Sequence, residues 1–105
     1  MNRTRRATTL PVREADLVKG IVEGLRYRGR TVLVLSQWRG DKAGSTPGAP
    51  DILVWCPKRC WWLGLEAKTP SGRIRPEQRA LMEAGMVVVV RSIDEAFEAA
   101  GETRT

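Results

Sequence analysis

The sequence predicts an α/β domain, a mixed sheet flanked by helices in the order α-β-β-β-α-β-α. Three observations carry that prediction. Leu17, Val18, Ile21, Val22 and Leu25 recur at helical spacing. Thr31 to Ser36 and Met86 to Val90 are short runs dominated by β-branched residues. Between them, two apolar runs joined by a turn are followed by a helical segment and then the valine run, which places the last two strands in a parallel crossover. A chain of 105 residues holds one core of this size and no second domain.

The elements follow in order. Residues 1–10 read as a basic arm, residues 11–100 as the domain and residues 101–105 as a polar tail. Pro11 suits the first turn of a helix that ends near Arg28-Gly29. The strand Thr31–Ser36 leads into a loop from Gln37 to Pro50, rich in glycine and proline and longer than most connections in compact domains. Asp51–Trp55 and Trp61–Lys68 form an antiparallel hairpin turning through Pro57-Lys58-Arg59. Pro76 opens a second helix whose inner stripe is Gln78, Leu81 and Met82, and Gly85 closes it. The valine strand reads as covered on both faces. Ile93–Ala100 forms a last helix with Ser92 as its N-cap.

Composition bounds the partners. Eighteen Lys and Arg against 12 Asp and Glu give a net charge of +6 and a pI near 10.2, which suits a polyanion such as a phosphate backbone. No apolar run approaches the roughly 20 residues of a membrane span, and the basic N-terminus has no hydrophobic stretch after it, so the expected compartment is the cytoplasm. Cys56 and Cys60 are the only cysteines and histidine is absent, which disfavours structural zinc and leaves two free thiols at the hairpin.

The chemistry lies in Pro50-Asp51 and Glu66-Ala67-Lys68. Alternation sets Trp61, Leu63, Leu65 and Ala67 on the core face of their strand and Trp62, Gly64, Glu66 and Lys68 on the other. An even hairpin loop pairs Cys56 with Trp61 and brings Asp51 opposite Glu66; an odd one would bury Asp51 in the core at high cost. Gly64, having no side chain, is expected to leave room beside Glu66. Two carboxylates held close repel unless a cation lies between them, and Mg²⁺ prefers such hard oxygen ligands, with the Ala67 carbonyl as a further donor. Lys68 would orient or help deprotonate an attacking water and stabilise charge on the phosphorane. Glu14 and Gln78 interrupt otherwise apolar helical stripes facing the sheet: Glu14 can complete the site directly or through water, and the Gln78 amide can hold the lysine or the substrate backbone; a first-turn acid and a satisfied helix-start amide are the ordinary alternatives. Each motif alone is common, E-x-K as a surface ion pair and Pro-Asp as a turn starter. Their combination is specific. Among the tryptophans, Trp61 is expected in the core, and Trp38 in the long loop is a candidate nucleic-acid contact.

In order, Glu14, Gly48-Ala49-Pro50-Asp51, Glu66-Ala67-Lys68-Thr69, Gly72-Arg73-Ile74-Arg75-Pro76-Glu77-Gln78 and the Val87–Arg91 strand with Asp94-Glu95-Ala96 resemble the VRR-NUC family, the virus-type replication-repair nucleases of the PD-(D/E)XK superfamily. The resemblance spans about residues 14 to 97. It implies a restriction-endonuclease-like fold, dependence on Mg²⁺ or Mn²⁺, and DNA as substrate. It makes Asp51 and Glu66 metal ligands, Lys68 the catalytic lysine, Glu14 the helix-one acid and Gln78 the motif glutamine. Small stand-alone members, some of them homodimers acting on branched DNA, imply a homodimer here. Two other expectations stand beside a metal-dependent DNA endonuclease: a basic DNA-binding protein that keeps the fold without turnover, and a nuclease acting on RNA.

Overall fold

The computed structural model describes residues 13–35 and 49–102. The basic arm, Pro11, Ser36, the body of the long loop with Trp38 and residues 103–105 lie outside the described residues. The elements are α1 (Glu14–Tyr27), β1 (Val32–Val34), β2 (Ile52–Cys56), β3 (Trp61–Ala67), α2 (Pro76–Glu83), β4 (Val87–Val90) and α3 (Ile93–Ala99), which is the predicted α-β-β-β-α-β-α order.

The four-stranded sheet runs β1-β2-β3-β4. β1 and β3 flank β2 antiparallel, and β4 adds to β3 in parallel. Both β1 and β4 are therefore edge strands. The hairpin register pairs Cys56 with Trp61 and Ile52 with Leu65 across the turn Pro57–Cys60, so the even loop is the one formed. Cys60 completes that turn at φ 53, an uncommon angle for a residue with a Cβ. Both cysteines are free.

α1 supplies Leu17, Val18, Ile21, Val22 and Leu25 to a core shared with Val32, Ile52, Val54, Leu63, Leu65 and Ala67. Its stripe buries because these positions repeat along one side of a helix whose other side is charged. α3 packs beside α1, where Phe97 lies so close to Gly24 that a Cβ there would meet the ring at 2.5 Å. Ser92 caps α3 by accepting the Glu95 N–H at 3.1 Å. α2 lies on the other face of the sheet, reached by Glu66, whose neighbours Leu65 and Ala67 point into the core.

Three expectations are corrected. α1 does not begin at Pro11: Arg13 is still extended, and its carbonyl accepts the first N–H groups, from Asp16 and Leu17. The acidic first turn of Glu14 and Asp16, favoured by the helix dipole, sets the start instead. Trp61 is not core. Exposure along the core face of β3 rises from 0% at Leu65 through 8% at Leu63 to 43% at Trp61, because the helices do not cover the hairpin end. Nor is β4 covered on both faces, since Val88 is exposed on this edge strand.

Candidate active site

Asp51 sits immediately before β2, gripped from both sides. Its carbonyl accepts the Leu35 N–H at 2.8 Å and its N–H donates to the Leu65 carbonyl at 3.1 Å. Extending the Ile52–Leu65 pairing by one step brings it opposite Glu66. Beyond that point β3 outruns β2, and the next β3 donor on that edge, the Ala67 N–H, is accepted by Asp51 Oδ2 at 2.9 Å. The carboxylate thus continues the ladder where the strand has stopped, which explains its burial despite its charge.

Glu66 is equally buried. Its Oε2 accepts Gln78 Nε2 at 2.7 Å and lies 3.6 Å from Lys68 Nζ, an ion-pair distance rather than a hydrogen bond. Gln78 cannot turn its amide around. Its Oε1 accepts the Arg75 N–H at 2.9 Å, satisfying one of the donors a helix start leaves over, so Nε2 must face the carboxylate. Glu14, at the first turn of α1, reaches the same corner from the opposite side. Ligand oxygens of Glu14, Asp51 and Glu66 all lie within 4.8 Å of one another. Glu14 is exposed, whereas Asp51, Glu66, Lys68 and Gln78 are buried. Asp51, Glu66, Lys68, Gln78 and Glu14 are accordingly brought together, whereas Ala67 enters the corner through its N–H, held by Asp51, and not through the carbonyl expected as a metal donor.

Three hard oxygen donors so close are a poor arrangement for anions alone and a fitting one for a divalent cation, with Glu14 able to yield to solvent or substrate. The corner opens into a cavity of about 910 Å³, whose walls include Lys19, Arg26 and Arg75 as well as the carboxylates. A negative floor for a cation beneath a rim bearing positive groups suits a phosphodiester.

Two features were not visible in the sequence. Arg91, at the end of β4, donates through Nη1 to the carbonyls of Thr69 at 2.6 Å and Gly72 at 3.1 Å, with that of Pro70 at 3.3 Å. The loop it gathers packs on the lysine: a Cβ on Gly72 would stand 3.3 Å from Lys68 Cδ. Arg91 therefore fixes the stem of Lys68 at one remove. The second feature corrects an expectation about Gly64. No room is left beside it, because an added Cβ would meet Pro50 Cγ at 2.9 Å, the Met86 carbonyl at 3.1 Å and Val87 Cγ2 at 3.1 Å. Its glycine serves the close approach of the Pro50 turn and β4, not a ligand.

Fold and side chains define an α/β domain with a mixed sheet whose end carries a buried carboxylate pair, a lysine and a glutamine, joined by an exposed acid from α1. No family model, curated protein or solved structure matches the chain. Among the described residues, no helix is long and apolar enough to cross a membrane.

Proposed function

We propose that this protein is a Mg²⁺- or Mn²⁺-dependent DNA endonuclease of the VRR-NUC kind, hydrolysing phosphodiester bonds. The observation that carries the proposal is the convergence of Glu14, Asp51 and Glu66 within 4.8 Å at the sheet end, with Lys68 3.6 Å from Glu66. When bound, a divalent ion supplies Lewis-acid polarisation of the scissile phosphate. Asp51 and Glu66 would hold it, Glu14 would complete the ligand set directly or through water, and the Ala67 carbonyl would be a further donor. Gln78 keeps Glu66 in position. Lys68 orients the attacking water for in-line displacement and faces the charge that builds on the phosphorane. The +6 chain draws in the nucleic acid, and DNA rather than RNA follows from the family resemblance. The same resemblance supports a homodimer that presents two sites to the two strands of a branched substrate.

The test is cleavage of labelled duplex and four-way-junction DNA in Mg²⁺ or Mn²⁺, with EDTA and Asp51→Ala as controls and RNA in parallel. Metal-dependent cutting that the Ala variant loses is the expected result. Equal cutting by that variant would sink the site assignment, and binding without cutting across substrates and metals would favour a non-catalytic DNA-binding protein. Light scattering on the eluting protein reports the oligomer.

A further inference from the structure

The hairpin end opposite the carboxylate corner carries a second concentration of chemistry that the proposed reaction leaves unused. Trp61 and Trp62 are 43% and 39% exposed, and the turn that joins β2 to β3 contributes Lys58 and Arg59. Large exposed aromatics are an unfavourable use of apolar surface unless something covers them. The two indoles differ in kind. Trp62 is braced edge-on by Trp55, with ring centres 5.2 Å apart and planes at 61°. Trp61 instead has the Arg59 guanidinium over one face of its ring, 5.3 Å from the centre, and it borders a separate cavity of about 680 Å³. The floor of that cavity is apolar, with Leu63, Val88 and Ala99. Of the charges on its rim, Arg30 is matched by Glu102 at 2.8 Å, which leaves Lys58 and Arg59 against Glu98.

We infer that this hairpin end binds single-stranded nucleic acid, with an unpaired base stacked on Trp61 and the adjoining phosphates held by Arg59 and Lys58. An indole beside an arginine offers a π-face to any base and a positive charge to its backbone, a combination that tolerates sequence. The overall charge of +6 complements the same partner. From Trp61 to Glu66 is five steps along β3, about 17 Å at ~3.3 Å per residue. The two side chains project from opposite faces of β3, so a strand held at Trp61 passes round the sheet to reach Glu66 and needs more than the roughly five nucleotides that cover the straight span at ~3.4 Å each. The inference rests on the nuclease reading only for what the held strand is delivered to, namely the corner at Glu66. Its substrate would then be DNA with an unpaired segment beside the scissile bond.

Binding of fluorescein-labelled oligothymidylates of increasing length, measured by anisotropy in EDTA, tests this without any cleavage. Affinity is expected to rise between about four and eight nucleotides. Trp61→Leu, which keeps apolar bulk but no π-face, should weaken binding of a 12-nucleotide strand by roughly tenfold, the loss of one stacked base. Trp61→Phe should retain most of the affinity, which guards against a merely misfolded Leu variant, and Arg59→Ala should weaken binding and reduce its salt dependence. Binding within twofold of wild type for both Trp61→Leu and Arg59→Ala would overturn the inference, as would light scattering showing a dimer that Trp61→Leu dissolves. Tight, Trp61-dependent binding combined with no cleavage in any metal would leave the inference standing and remove the nuclease reading instead.

Discussion

Replacing Asp51 by asparagine distinguishes a metal-holding carboxylate from one that serves only the fold, through the sign of its effect on stability. The two side chains match in shape, and Asn keeps an acceptor oxygen for the Ala67 N–H now held at 2.9 Å. What changes is one negative charge in a buried corner beside Glu66. Ligand oxygens in the cluster lie within 4.8 Å, and two charges at that separation repel by about 3.5 kcal/mol at an effective dielectric of ~20. Weakening the charge-assisted hydrogen bond to the Ala67 N–H returns about 1 kcal/mol, and the other contacts of the carboxylate in this corner offset part of the remainder. The metal-free Asn variant should therefore be more stable than wild type by about 1 kcal/mol, a rise in Tm of roughly 4–8 °C for a domain of this size. In excess Mg²⁺ the gap closes. Wild type gains about 1.4 kcal/mol when the ion is present at ~10 times its Kd, and the variant gains less. Scanning calorimetry in EDTA and in Mg²⁺ reads both effects. An Asn variant less stable than wild type in EDTA, with the same Mg²⁺ shift in both proteins, would refute the reasoning.

Four other changes probe the surrounding structure. Lys68→Met keeps the stem against Gly72 and removes the ammonium; multiple-turnover assays should show cleavage falling at least a hundredfold while DNA affinity changes little. Gln78→Leu leaves both the Arg75 N–H and Glu66 Oε2 without their amide partner, so chemical denaturation should show a loss of about 1–3 kcal/mol, and cleavage should fall with it. Gly64→Ala drives a Cβ into Pro50 and the Met86 carbonyl, and urea titration should show about 1–3 kcal/mol of destabilisation. Arg91→Leu releases the Thr69–Gly72 carbonyls; limited proteolysis should then cut that loop faster, and the cleavage rate should drop although no substrate-facing group has been removed.

The register of the hairpin was legible because a charge on the wrong face is expensive, so one dipeptide fixed the parity of a loop several residues away. Glu14 and Gln78 were legible as polar interruptions of apolar stripes, a signal that periodicity makes conspicuous. Trp61 was misjudged for a related reason. Alternation names the face a side chain takes, and says nothing of how far along the strand the helices extend their cover. Val88 failed likewise, since a run of valines looks the same in a central strand and at an edge. At Gly64 the expected space is filled by the Pro50 ring, the Met86 carbonyl and the Val87 side chain, a distinction only the packing makes. Arg91 left no trace, because its partners are main-chain carbonyls some twenty residues away, and any sequence supplies carbonyls.

Gln78 divides one amide between a helix start and a carboxylate, and this ties the position of Glu66 to the closing of the first turn of α2. Asp51, Glu66 and Lys68 all precede α2 in the chain. Without the first turn of α2 closed on Arg75, Glu66 loses the Gln78 bond. A chain cut short of residue 78 would carry the acids and the lysine without that amide. The Arg75 amide proton is then a local clock: its exchange with solvent and the release of Glu66 are one opening event, measured by one free energy.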